Sequence, residues 1–74
     1  MLKTDFLKLN KEAITSEIIS DVYESSLNPG IDYVDSVNID ETSIDIYYYY
    51  DGEACIEKFS SIEDFRFKVK TYGK

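Results

Sequence analysis

Fifteen carboxylates, seven tyrosines and one cysteine make up the reactive inventory of this 74-residue chain, which has no histidine. Cys55 has no base beside it in sequence and no glycine-rich phosphate loop is present, so the motif-borne enzyme classes are excluded on inventory. Paired carboxylates such as Asp32 with Asp35, or Asp40 with Glu41, have the residue types for acid–base or glycosidase chemistry. Nothing in the sequence singles one pair out. A calcium loop opening at Asp35 would place Val37, Ile39 and Asp40 at its third, fifth and sixth positions, where the EF-hand needs two oxygen ligands and a glycine. No catalytic residue, cofactor or metal site is therefore expected.

What the carboxylates do show is a distribution. Between Lys11 and Lys58 there are twelve acidic residues and no lysine or arginine, and the flanks hold all eight basic residues. With a net charge of −7, so one-sided a middle is a statement about partners more than about fold. Direct nucleic-acid binding is disfavoured, because phosphate contacts need lysine and arginine. Arg66, Lys68, Lys70 and Lys74 are the one basic cluster, read here as a solvated helix face. Apolar residues at 43%, with nine isoleucines among them, are too many for a disordered acidic tail. A chain of this length has room for one domain, 1–74. A single cysteine excludes an internal disulfide framework, and no run approaches the length of a signal segment or membrane span, so a cytoplasmic location is expected.

The elements that must position these side chains follow from periodicity. Asn10 is placed as an N-cap, with Leu9 stapling onto Ile14, for a helix over about 11–27. Ile14, Ile18, Ile19, Val22 and Tyr23 sweep its apolar face, and Glu17, Asp21 and Glu24 stack on the opposite one. Asn28-Pro29-Gly30 ends it. Residues 1–9 read either as a short helical turn capped by Thr4 or as an extended lead-in. The period then changes to alternation, giving strands over about 32–40, 43–50 and 53–59, with Asp40 and Glu41 in the first turn and Asp51-Gly52 in the second. The C-terminal stretch carries both strand alternation and helix signals. The Ser60-Ser61-Ile62-Glu63 capping pattern favours a helix over 61–72, with Phe67 as its misfit. The fold class is α+β, in the order helix, three antiparallel strands, helix.

The register of the second hairpin decides which side chains share a face. A two-residue turn pairs Tyr48 with Cys55 and sets Glu57 opposite Ile46, mixing an acid into the apolar face. A three-residue turn with a bulge at Gly52 pairs Tyr48 with Ala54 and Ile46 with Ile56. The second is the expectation. It collects Ile44, Ile46, Tyr48, Ala54 and Ile56, with Tyr50, under the helix and leaves Asp45, Tyr47, Tyr49, Glu53, Cys55 and Glu57 together on the far face, its aromatic anchors ringed by carboxylates.

Acids at i and i+2 of a strand lie about 6.7 Å apart, and at i and i+4 of a helix about 6 Å, spacings close to those of successive phosphates. In size, acidity and element order the chain resembles small phage-encoded inhibitors that mimic DNA, including anti-CRISPR proteins that block a Cas effector. The resemblance implies inhibition by steric and electrostatic competition for a basic nucleic-acid-binding enzyme, without catalysis. The expected partner-binding residues are Asp45, Tyr47, Tyr49, Glu53 and Glu57 on the sheet, Glu17, Asp21 and Glu24 on the helix, and Asp40 and Glu41 in the turn. An immunity- or antitoxin-like protein that neutralises a basic toxin, and a small subunit forming a homodimer through its tyrosine face, are the alternatives.

Overall fold

A computed structural model describes residues 1–74. The order is α1 (Lys3–Leu7), a 3-10 turn (Lys11–Ala13), α2 (Ser16–Val22) running into a π-helical turn (Tyr23–Leu27), β1 (Tyr33–Ile39), β2 (Ile44–Tyr50), β3 (Glu53–Phe59) and α3 (Ile62–Tyr72). The strands form an antiparallel meander in the order β1-β2-β3. All helices lie on one face, α2 against β1 and α3 against β3, with α1 packed on α3. The result is a two-layer α+β fold whose second sheet face is uncovered.

The expected first helix is broken. Asn10 makes no side-chain cap, and the chain leaves helical geometry at Ile14 (φ −85°, ψ 110°). Thr15 caps instead, its Oγ1 accepting the Ile18 N–H at 3.3 Å. The restart sets Ile14 before the cap and Ile19 four positions into the helix, a hydrophobic-staple spacing, and both side chains are buried. Five residues later the ladder widens: the Asn28 N–H donates to the Tyr23 carbonyl at 2.8 Å. That extra residue lets Tyr23 and Ser26 both face inward, and each is buried. Residues 1–9 contain a helical turn whose N-cap position is Leu2, not Thr4. At the other end the helix reading of 61–72 holds. Its capping pair sits one residue later than expected, with Ser61 Oγ accepting the Asp64 N–H at 3.0 Å and Asp64 accepting the Ser60 N–H at 3.2 Å.

The core joins both layers. Phe65 meets Phe6 edge-to-face at 5.6 Å and Phe59 at 5.0 Å, and Tyr23 lies 5.5 Å from Tyr48. Ile19, Val22, Ile44, Ile46 and Val69 fill the space between these rings. Tyr50 differs from the expectation that it packs under the helix, and Tyr72 is open as well. Tyr50, at the hairpin end, is 56% exposed, and Tyr72, in the last turn of α3, is 66% exposed. Both lie past the reach of the opposing layer. The chain end is tied to the π-helical turn through Ser26, whose hydroxyl donates to the Lys74 carbonyl and whose carbonyl accepts the Lys74 N–H. A side chain at Gly73 would collide with Ser26 Oγ and the Val69 carbonyl, so it is close approach that requires glycine there.

Candidate functional site

The second hairpin adopts the register that the charge argument disfavoured. Tyr50 pairs with Glu53, Tyr48 with Cys55, Ile46 with Glu57 and Ile44 with Phe59. Asp51 and Gly52 both have positive φ, 51° and 81°, as a two-residue type I′ turn requires. The supposed penalty, an acid on the helix side of the sheet, is absent because β3 is an edge strand and Glu57 has a partner there. The Tyr23 phenol donates to Glu57 Oε1 at 2.6 Å and accepts from Asn28 Nδ2 at 3.1 Å. Burial first, and then the hydrogen bond to Glu57, hold the Tyr23 phenol protonated well above its ordinary value of 10.0.

This shift has a definite sign. The unfolded chain ionises Tyr23 above about pH 10 while the folded chain keeps its proton. The stabilisation is therefore complete below about pH 10 and is lost as pH rises beyond it, by up to about 1.4 kcal/mol per pH unit. Urea denaturation between about pH 8 and pH 11 should show a steeper alkaline loss for the native chain than for Tyr23→Phe. Parallel curves would contradict it. Near neutrality Tyr23→Phe should be the less stable of the two by about 1–2 kcal/mol, since Glu57 and Asn28 lose a partner.

The expected ring of carboxylates around the sheet tyrosines is thus not assembled. Only Asp45 shares a face with Tyr47 and Tyr49; Glu53 and Glu57 project to the helix side along the β3 edge, following their partners Tyr50 and Ile46. The residues now beside the tyrosines are Ala54, Ile56 and Lys58, opposite Tyr49, Tyr47 and Asp45. Tyr33 joins them, stacked on Tyr49 at 5.1 Å and 27°. Strict alternation along β1 would place Tyr33 with Val37 and Ile39, but a bulge between Val34 and Ser36 reverses the phase.

That same bulge builds an acidic surface elsewhere. Glu17, Asp21 and Glu24 form the expected exposed stripe on α2 and the turn after it, and they line one wall of an open groove of about 450 Å³. Asp35 and Ser36 at the bulge form the other wall, with Ser16 and Ser20 along the helix. Asp21 meets the Met1 ammonium at 2.5 Å, and Glu17, Glu24 and Asp35 have no ion pair. Three acidic residues converge nowhere closely enough to share a metal ion. The groove is a spread of negative charge, with serine hydroxyls interleaved. Asp40 and Glu41 lie apart from it in the β1–β2 turn, where Asp40 Oδ1 accepts the Glu41 N–H at 2.8 Å and the Asp40 N–H donates to Ser43.

Sequence reasoning missed Asp35 as a member of this surface. The available signal was the spacing of three between Val34 and Val37, which strict alternation cannot place on one face. Most of the basic residues sit on α1, α3 and the 3-10 turn, where several are engaged. Lys11 pairs with Glu63 at 3.2 Å, Lys68 with Asp64 at 3.7 Å, and Arg66 donates to the Leu7 carbonyl. Glu63 is held below the usual carboxylate range, first by its own backbone N–H and then by Lys11. Of the ion pairs, only that between the Met1 ammonium and Asp21 lies in the α2–β1 groove. No helix is long and apolar enough to cross a membrane. No protein-family model, no curated protein and no solved structure matches the chain.

Proposed function

We propose that this is a non-enzymatic binding protein whose α2–β1 edge occupies a basic groove built for nucleic acid, acting as an inhibitor of a nuclease or CRISPR-Cas effector. One observation carries the reading: the Glu17–Asp21–Glu24 stripe and Asp35 face a common groove in which only Asp21 meets a cation. Carboxylates one helical turn apart repeat at about 6 Å, a pitch that lysines and arginines set out for phosphates can follow. The likeness in size, acidity and element order to phage-encoded DNA mimics supports the same direction. Such a partner is cytoplasmic and gives the chain no need of a cofactor.

The test uses DNA-cellulose loaded with basic proteins of the host lysate. Adding the chain at constant ionic strength should release a nucleic-acid-binding enzyme, and polyglutamate of equal total charge should not. The release should fade steeply between low and physiological salt, where the screening length falls to about 8 Å. Release by polyglutamate to the same extent would reduce the effect to net charge. Capture of a basic toxin that has no affinity for DNA would replace this reading by the immunity-protein one.

A further inference from the structure

The uncovered sheet face is a different surface from the acidic groove, and its chemistry is different. Along β2 and β3 the outward pairs are Asp45 with Lys58, Tyr47 with Ile56 and Tyr49 with Ala54. Each pair is unlike across the strands: acid against base, then a large ring against a smaller side chain, twice. The face carries one acid and one base, so it is the place on this acidic chain where a second copy meets no net repulsion. It is also apolar and open, with Tyr33 49%, Tyr47 40% and Ile56 44% exposed. Asp45 has no donor from its own chain. Its Oδ1 is shielded from water without a hydrogen-bond partner, and Lys58, although directly across the ladder, makes no ion pair.

The geometry points to a homodimer in which two copies stack their outer sheet faces about a two-fold axis running along the strands between β2 and β3. That rotation carries β2 of one copy over β3 of the other at the same height. Asp45 then lies over the partner copy's lysine, Tyr47 over its isoleucine and Tyr49 over its alanine, and the same three contacts recur by symmetry. Large groups meet small ones and both unpaired charges find opposites. Sheets packed face to face keep their strands within about 30° and lie about 10 Å apart, which suits this arrangement. Only β2 and β3 overlap about that axis, a patch of about 24 Å by 10 Å, small for an interface, so the association is weak and concentration-dependent. The occupant is a second copy and not a basic partner, because the face is neutral and a cationic surface would be drawn to the groove instead.

Two single substitutions test this in a way that a merely intramolecular effect cannot imitate. Asp45→Lys leaves two positive charges on the face and Lys58→Asp leaves two negative ones. Sedimentation equilibrium over micromolar to millimolar concentrations should show dimerisation of the native chain, and weakening by at least about tenfold in either variant alone. An equimolar mixture should recover association, because each variant then opposes its complement. Unchanged far-ultraviolet circular dichroism verifies that the variants fold, and Tyr47→Ser serves as an uncharged second disruption should either fail. A native chain that stays monomeric, a dimer indifferent to all three substitutions, or a mixture no better than its components would each overturn the proposal.

Discussion

Phe65→Ala is expected to lower the urea midpoint more than any other single substitution in the core. Phe65 is fully buried and is the ring at which the two layers and the N-terminal turn meet, edge-to-face with Phe6 on one side and Phe59 on the other. Removing it empties the site on three elements at once, and the small fold offers little that could collapse into the space. Phenylalanine-to-alanine changes in cores cost about 3–5 kcal/mol. A chain of this length has roughly 4–11 kcal/mol in total, so the loss takes from about a quarter of the stability to all of it. Phe67, two residues on, is 58% exposed, and Phe67→Ala should shift the urea midpoint little. A small effect at Phe65, or comparable effects at both, would mean that α3 is rotated from the placement described.

The second large effect is on binding. Reversing Glu17, Asp21 and Glu24 to lysine changes the charge of the groove wall by +6, and reversing Asp40, Glu41 and Glu53 changes the chain by the same amount at sites outside it. With equal net charge, position is the variable. The first set should raise the dissociation rate from the released enzyme by more than about tenfold, because contacts in the interface hold the complex. The second set should mainly slow association, by about twofold to fivefold, because distant charges steer encounter. Surface plasmon resonance on the enzyme recovered from DNA-cellulose separates the two rates. Equal increases in dissociation from both sets would remove the groove as the binding surface.

How far these side chains could be placed from the sequence differs by element. The meander, the acidic stripe of α2 and the helical C-terminus were legible, because periodicity over a whole element averages out single misfits such as Phe67. The break at Ile14 was not, since Asn10 and Thr15 are both good caps and packing decides between them: only the restart at Thr15 brings Ile14 and Ile19 into the core. The hairpin register went the other way for a comparable reason. Turn chemistry at Asp51-Gly52 and the expected cost of an acid on the helix side pointed in opposite directions; Glu57 is in fact exposed, and its acceptor role toward Tyr23 depends on a residue 34 positions distant. Getting the register wrong by one residue scattered a candidate site of five residues across two faces. The groove that replaced it depends on a β-bulge, which strict alternation does not foresee.

The Lys3 ammonium donates to the Gly73 carbonyl at 2.9 Å, and α1 packs on α3, so the first and last elements are neighbours in space. The fold can accordingly be regarded as a ring with an arbitrary starting point. Joining its ends through a short flexible segment and opening it in the Asp40–Glu41–Thr42 turn would retain every packed layer. It would, however, turn β1–β2 from a hairpin pairing into the most remote pairing of the sheet, with β2 made first and β1 last. Since folding rate falls as contacts become less local, the permuted chain should reach the same structure more slowly. The connectivity found here is the one that lets the sheet assemble from consecutive hairpins.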